Sequence, residues 1–537
     1  MTESRCSCGG GIILEHLHPV DRLTTPVFAN IIVRKTRHRL RVSYVLPAID
    51  HTGQLTRHNM PQRHSPSISR ILIPNMQWID RRPSIAALLG TLLLLLLCAV
   101  GMSAQSREPY PNAITDRLIH LKTPMSPPAV NSPFTDPDFG STMVRVTDRT
   151  SDFLYRGGYV RTEGSGASNM WSADTTKFYV IGEGGVALAY SFNPLTMNIG
   201  SLPNATPGQA LHVPLRAGAS FSFTDSDVIY GTTDASPLKI SSYSFSTGVT
   251  STVVDTTTCG AQPPILPGPK TLNDDDVTPS LDDRRISISE GGPSFGAAMY
   301  VIVYDKKLGC RWYNTQTGQI GGQWGASGNA TVTGSYLISH ARVSRSGTFV
   351  TILENHSAWY VWDVATLKVT HCSLGSNLDC SGYTALGYND LVNSPGTIDG
   401  MNIVKRPLSD IAKVSQLVLP LPPPHYWGQD KHFTWSNVDV NDSVPVCAST
   451  YLYDADGSIT QPFEGEIFCI ETDGAASTVW RFAHNRATWY PKYFNTQPLG
   501  SISRDGRFFL FTSAWDEQLG TESNGTPRSD AWIVKLN

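Results

Sequence analysis

The chain has 537 residues, of which 16% are charged and 40% are hydrophobic. This composition is too apolar for a disordered protein, and the net charge of −3 gives no electrostatic basis for binding nucleic acid. At this length two or more domains would be usual, although large all-β folds are a known exception.

The N-terminal hundred residues differ in charge from the remainder of the chain. Residues 1–104 carry 12 Lys and Arg against 5 Asp and Glu, whereas residues 105–537 carry 30 against 40. Residues 1–75 have no clear apolar period, and we interpret them as a non-native or disordered extension. Met76 is then expected to be the true start of the protein.

Residues 76–104 have the organisation of a secretory signal. Arg81 and Arg82 precede an uncharged stretch from Ile85 to Ala104, which contains six consecutive leucines at 92–97. Cleavage after Ala104 would release a secreted or extracytoplasmic protein. The alternative is that the same stretch stays in the membrane as an anchor, because about 20 apolar residues can span a bilayer. Residues 105–140 are expected to be a linker.

Six cysteines follow the signal, an even number that fits disulfide pairing in an exported protein. Six cysteines allow 15 connectivities, and the sequence does not choose among them. We expect neighbours along the chain to pair, most clearly Cys372 with Cys380. Six buried free thiols are the alternative interpretation.

Residues 141–537 consist of short alternating apolar runs between turn residues, the pattern of an all-β protein. A weak repeat combines Ser or Thr, a tight turn and a strand, as in residues 344–352 and 503–511. The marker residues are Ser172, Thr224, Ser280, Ser344, Ser436 and Ser503. The longest gap, from 344 to 436, has room for two units, with a divergent one near residues 386–392. The spacing predicts a seven-bladed β-propeller.

The two ends of this region each provide an incomplete blade. Residues 142–147 have no complete blade before them, and residues 531–536 have none after them. We predict that these N- and C-terminal strands pair in one blade and close the ring, which removes the open edges.

The pattern resembles seven-bladed propellers of the WD40-like or TolB-like type. In the last blades, residues 481–484, 497–506 and 511–515 are similar to oligogalacturonate lyases, which are propeller enzymes with a histidine-bound metal in the central channel. The chain has Gln497-Pro498-Leu499 where that family has a His-Pro pair.

Candidate ligands come from the position four residues before each marker, near the start of the innermost strand. This position holds Asp276, His340 and His432 in three blades, and Gln497 lies two residues before Leu499, the corresponding residue of the last blade. Such residues around one axis could hold a divalent metal such as Mn, Zn or Ca, or could bind a ligand directly. Polar residues lining a water-filled channel are the alternative. His484, in a predicted loop with Arg481 and Arg486, is the candidate catalytic base.

Three functions follow from these residues. The first is an exported propeller that binds a small molecule or polysaccharide, such as a carbohydrate, at the channel mouth. The second is a metal-dependent lyase or hydrolase acting on uronate-containing sugars. The third is a protein–protein scaffold in the cell envelope. The sequence predicts no nucleic-acid partner, and a membrane association only if the stretch from Ile85 to Ala104 is retained.

Overall fold

The chain divides into two compact units, Met1–Met102 and Ser103–Asn537. The computed structural model describes residues 34–36, 39–41, 109–148, 160–163, 168–259, 271–272, 277–291, 298–332, 334–354, 358–373, 384–394, 403–413, 416–419, 431–435, 439–451, 458–473, 478–487, 496–522 and 525–536. In the first unit the described residues form one antiparallel hairpin of β1 (Arg34–Thr36) and β2 (Arg39–Arg41).

The second unit is a β-propeller. Its described strands form six antiparallel sheets, numbered here I to VI. Sheet I contains β5 (Lys177–Gly182), β6 (Val186–Phe192), β7 (Ile199–Gly200) and β8 (Leu211–Arg216). Sheet II contains β9 (Ser220–Phe221), β10 (Val228–Thr233), β11 (Ser236–Ser244) and β12 (Thr250–Asp255), followed by a 3-10 turn at Thr256–Thr258.

Sheet III has eleven strands. They are β13 (Thr271–Leu272), β14 (Thr278–Pro279), β15 (Arg285–Gly291), β16 (Ala298–Asp305), β17 (Gly309–Asn314), β18 (Gln319–Gly322), β19 (Gly328–Asn329), β20 (Ile338–Val343), β21 (Phe349–Glu354), β22 (Ala358–Asp363) and β23 (Val369–Ser373).

The remaining strands form three smaller sheets. Sheet IV contains β24 (Thr384–Leu386), β25 (Asp390–Asn393), β26 (Ile403–Pro407) and β27 (Gln416–Leu419). Sheet V contains β28 (Lys431–Thr434), β29 (Val446–Thr450), β30 (Glu466–Ile470) and β31 (Val479–His484). Sheet VI contains β3 (Phe134–Thr135), β4 (Thr142–Arg145), β32 (Gly500–Ile502), β33 (Phe508–Ser513) and β34 (Asp530–Lys535).

Five blades are separate sheets of four or five strands, instead of the seven blades predicted. The difference lies in residues 271–373, where the sequence predicts two blades and the structure has the single sheet III. The halves of sheet III, β13–β19 and β20–β23, are joined by one residue pair, Ala298 with Ile338. Sheet IV confirms the divergent unit expected near residues 386–392.

Ring closure is confirmed as predicted. The N-terminal strand β4 pairs with the C-terminal strand β34 through Arg145 with Trp532, Val144 with Ile533, and Met143 with Val534. Five of these six side chains are fully buried, so closure adds apolar packing as well as backbone hydrogen bonds. One sheet therefore contains strands from both ends of the propeller.

The sheets follow one another around a closed ring. Each is joined to the next by a hydrogen bond near its first strand: Asn169 with Ser220, Val277 with Gly218, Arg345 with Gly387, Tyr388 with Asp442, Ile502 with Thr434, and Trp171 with Ser501. The last of these bonds returns from sheet VI to sheet I. First strands of neighbouring sheets also lie against each other, as β24 does with β28 and β28 with β32. In each blade, the strand just before the marker turn is therefore innermost.

The repeated marker is a serine turn with a recurring set of hydrogen bonds. Ser503 Oγ donates to Asp505 at 2.6 Å and accepts from the backbone N–H of Phe508 at 3.0 Å. The same pair of contacts recurs at Ser172 and Ser280. In sheet II the structure places the marker at Ser222 rather than the predicted Thr224, because the backbone N–H of Ser222 donates to Val228 across a turn one residue longer.

Two disulfides follow the expected pairing of neighbours. Cys259–Cys310 connects the turn after sheet II to β17 of sheet III, and Cys447–Cys469 joins paired positions of β29 and β30. Cys372 is also disulfide-bonded. Its predicted partner, Cys380, lies outside the described residues.

The marker turn provides a test of the fold. Replacing Ser503 by Ala removes two hydrogen bonds at a fully buried residue, so we expect the free energy of unfolding to fall by about 1–3 kcal/mol. Urea denaturation measures this change. Ser335→Ala, at an exposed serine, is the matched control and should change stability by less than about 0.5 kcal/mol. Equal effects of the two substitutions would contradict the structural role of the turn.

Candidate functional site

The C-terminal ends of the innermost strands meet around Phe223. The carbonyl of Phe223 accepts a hydrogen bond from Arg504 of sheet VI, and the guanidinium carbon of Arg345 lies 4.5 Å from the centre of the Phe223 ring. Phe223 is 1% exposed. Since sheet I separates sheets II and VI in the ring, the bond from Arg504 to Phe223 must cross the channel. Phe223, Arg345 and Arg504 are together called the plug.

The plug residues occupy related sequence positions. Each follows the serine of a marker turn directly, after Ser222, Ser344 and Ser503. The repeat therefore contains a signal for the plug. The sequence interpretation missed this signal, because that interpretation used only positions before each marker. Burial and, to a smaller extent, nearby Arg342 lower the pKa of Arg345 to about 10, so the guanidinium stays charged at neutral pH.

Two of the predicted ligands come together near the N-terminal ends of the innermost strands. His432 is the second residue of β28, and Gln497 lies just before β32. Both contact Tyr451, which follows β29: the Tyr451 hydroxyl donates to Gln497 Oε1 at 2.7 Å and is hydrogen-bonded to His432 Nε2. All three side chains are buried. Tyr451 lay outside the sequence prediction because the second strands of the blades carry no marker.

The hydroxyl of Tyr451 determines the tautomer of His432. A phenol has one O–H group, which Tyr451 uses to donate a hydrogen bond to Gln497 Oε1, so the hydroxyl oxygen must accept a hydrogen bond from the N–H at His432 Nε2. In the neutral ring the lone pair is then on Nδ1. The chain of three residues joins sheets V and VI with groups that donate and accept hydrogen bonds.

Of the other two predicted ligands, only one lies among the described residues. His340 is the third residue of β20 and is half-buried, pairing with Leu353 of β21. Asp276 lies outside the described residues. In the part of the chain that the structure describes, no group of three or more His, Cys, Asp or Glu side chains is arranged to hold a metal ion.

The described donors also do not fit the proposed metal site well. Gln497 Oε1 and His432 Nε2, two atoms suited to metal ligation, both converge on the Tyr451 hydroxyl, so this oxygen occupies the point that they share. Of this pair, His432 has only Nδ1 left as a lone-pair donor in its neutral form. The geometry therefore supports hydrogen bonding at this place.

His484 lies elsewhere in the propeller. It is the last residue of β31, the outermost strand of sheet V, and its predicted position in a loop is wrong. Three strand spacings separate β31 from innermost β28, which is about 14 Å. His484 is therefore not part of the site around Tyr451.

A segment at residues 109–140 covers His484 and packs on the outside of sheets V and VI. Phe139 contacts the His484 ring edge-on at 5.0 Å between centroids, and Asp138 Oδ2 lies 3.7 Å from His484 Nε2. Nearby, fully buried Arg481 binds Glu466 through two hydrogen bonds and also contacts Asp116 at 2.9 Å. The segment predicted as a linker thus packs on the propeller.

Burial lowers the pKa of His484 to about 3, so its imidazole is neutral in the folded protein at physiological pH. A base this weak and fully buried is poorly suited to taking a proton from a substrate. Its environment is that of a packing residue under the N-terminal segment.

No protein-family model and no curated protein matches the sequence. Among solved structures, the chain is similar to oligogalacturonate lyase from Vibrio parahaemolyticus, with 11% identity and a TM-score of 0.41 over 79% of this chain and 99% of that chain. It is similar to an oligogalacturonate lyase in complex with manganese, with 12% identity and a TM-score of 0.41 over 78% and 98% of the two chains. It is also similar to the β-propeller domain of Cps50 (Swd1) from Myceliophteria thermophila, with 11% identity and a TM-score of 0.35 over 70% and 96%.

The lowered pKa of His484 predicts an acid-dependent loss of stability. The unfolded chain takes up a proton at this histidine below about pH 6.5, whereas the folded protein does so only near pH 3. The stabilisation is complete above pH 6.5 and is lost progressively as the pH falls toward 3. At pH 5 the loss from this group is about 2 kcal/mol.

The matching variant is His484→Phe, which keeps an aromatic ring but cannot titrate. Urea denaturation at pH 7.5 and pH 5 should give a smaller decrease in the free energy of unfolding for the variant than for the wild type. The same decrease in both proteins would contradict the assignment of a buried, neutral His484.

Proposed function

We propose that this protein is an exported, ligand-binding β-propeller whose ligand enters the channel at the end opposite the plug. The observation that carries the proposal is the difference between the two channel ends. Phe223, Arg345 and Arg504 meet at the C-terminal ends of the innermost strands, and a chain of polar side chains lies near the N-terminal ends. Gln497 lies three residues before β32 and Arg504 lies two residues after it, so they mark the two ends of one innermost strand.

The chemistry of the polar end favours a ligand rich in hydroxyl groups, such as a carbohydrate. Imidazole, phenol and carboxamide groups can each donate and accept hydrogen bonds at neutral pH. His340 supports access to this end, because it lies in the first half of innermost β20 and is partly exposed. The buried chain through Tyr451 would hold the channel wall rigid next to it.

Export is supported by the two disulfides, since such bonds persist in oxidising compartments. Among the described residues, none of the helices has the length and apolarity needed to cross a bilayer. The stretch from Ile85 to Ala104 lies outside the described residues, and both the signal peptide and the retained anchor stay as proposals.

Calorimetric titration of the purified chain with neutral and uronate oligosaccharides tests the channel proposal. We expect a saccharide to bind to the wild type and His340→Ala to weaken that binding at least tenfold. His212→Ala, at an exposed histidine on β8 away from the innermost strands, is the matched control and should bind as the wild type does. The proposal would be contradicted if no saccharide bound, or if His340→Ala weakened the binding of none of the saccharides that bind the wild type.

A metal-dependent lyase or hydrolase acting on uronate-containing sugars is the second candidate. It requires Asp276 and His340 to supply ligands beside His432 and Gln497, and the half-buried position of His340 on β20 is the observation that favours it. Elemental mass spectrometry of the purified chain and of His340→Ala separates the two candidates. One equivalent of Mn, Zn or Ca, lost in the variant, would favour the enzyme.

A further inference from the structure

A shallow groove of about 450 Å³ lies on the outer part of sheet III, between β17, β18 and β19. Its size is within the range of small-molecule sites, about 300–1,000 Å³. The groove belongs to the outermost strands of its half-sheet, whereas the channel is lined by innermost strands. It is called the outer groove.

The floor of the outer groove is formed by the indole ring of Trp312, which lies directly on the backbone of the neighbouring strand at Gly321. Trp312 of β17 pairs with Gly321 of β18, and a Cβ atom placed on Gly321 would lie 2.6 Å from the Trp312 ring. A glycine is therefore required for the ring to lie so close to the neighbouring strand. Trp312 also makes a T-shaped contact with Tyr300, with 6.3 Å between ring centroids, and is 9% exposed, so only a small part of the indole is open to the groove.

Neutral polar side chains surround this indole. Gln319 and Asn329 are exposed and occupy paired positions of β18 and β19, and Ser327 is exposed beside them. Gln323 is held in place because its Oε1 accepts a hydrogen bond from the backbone N–H of Cys310 at 2.6 Å. Its amide nitrogen keeps two donor hydrogens.

The lining of the outer groove contains aromatic, aliphatic, carboxamide, hydroxyl and glycine residues but no acidic or basic side chain. Carboxamides can donate to and accept from adjacent hydroxyl groups, and the exposed part of an indole can contact the apolar C–H surface of a sugar ring. A charged ligand would find no opposite charge among the lining residues. The combination selects an uncharged, hydroxyl-rich ring.

We propose that the outer groove is a second binding site, separate from the channel, and that it takes a neutral sugar residue. The small exposed part of the Trp312 indole contacts the sugar, while Gln319, Gln323 and Asn329 bind its hydroxyl groups. This site would allow the protein to hold a neutral saccharide independently of whatever enters the channel.

The test is calorimetric titration of the full chain, made in a host that does not glycosylate proteins so that Asn329 in its Asn-Ala-Thr sequence stays unmodified. The probes are β-1,4-linked trisaccharides of glucose, mannose and galactose, with trigalacturonate as the charged comparison. We expect at least one neutral trisaccharide to bind more tightly than trigalacturonate. No binding of the three neutral probes, or tighter binding of trigalacturonate, would overturn the proposal.

Two variants locate the binding. Gln319→Ala with Asn329→Ala removes two hydrogen-bonding groups, and Ser327→Tyr fills the groove from an exposed position. Each should weaken binding of the neutral probe at least tenfold. The matched control, Asn198→Ala with Gln518→Ala, removes two exposed carboxamides elsewhere on the propeller and should bind as the wild type does.

The His340→Ala variant distinguishes the outer-groove proposal from the channel proposal. His340→Ala should leave binding at the outer groove unchanged. If His340→Ala abolishes binding and both groove variants retain it, the saccharide binds in the channel and the outer-groove proposal is overturned. Thermal unfolding midpoints show whether each variant is folded. If the double variant Gln319→Ala with Asn329→Ala does not fold, Ser327→Tyr still tests the outer groove.

Discussion

The pairing of β4 with β34 is the constraint on which the rest of the propeller depends. Without it, the last sheet would lack its N-terminal strand and the ring would have an open edge. Side chains reinforce the pairing around fully buried Asp530, which accepts hydrogen bonds from Arg145 at 3.0 Å, Arg528 at 2.8 Å and Thr147 at 3.1 Å. A buried carboxylate this well bonded favours one register of the closing strands.

Closure of the ring gives the channel its two different ends. The hydrogen bond from Arg504 to Phe223 can form only when the closed ring places sheets VI and II on either side of sheet I. The bonds from Tyr451 to His432 and Gln497 require the neighbouring sheets V and VI to keep their spacing. Both ends of the proposed binding channel therefore depend on the distant strands that complete sheet VI.

Local patterns in the sequence predicted the features that repeat or stand at the ends of the propeller. The serine turns at Ser172, Ser280 and Ser503 were found because each combines a hydroxyl, a turn and an alternating strand. Closure by residues 142–147 and 531–536 followed from two incomplete blades. Pairing of neighbouring cysteines was also confirmed for two disulfides.

Features that depend on contacts between blades could not be read from local patterns. Tyr451, which follows a second strand without a marker, joins His432 to Gln497, and Arg504 reaches Phe223 past the intervening sheet I. His484 was misplaced because its burial comes from Phe139, more than 300 residues earlier in the chain. The single sheet III arises from one residue pair between two predicted blades.

Native-state hydrogen exchange of the closing strands tests the central claim most directly. If ring closure holds the propeller together, backbone amides of β4 and β34 that bond across this pair should exchange only through global unfolding, as slowly as those of central β33. The short edge strand β19 should exchange faster. Exchange of the β4 and β34 amides at the rate of β19, while β33 stays protected, would contradict a propeller that depends on this closure.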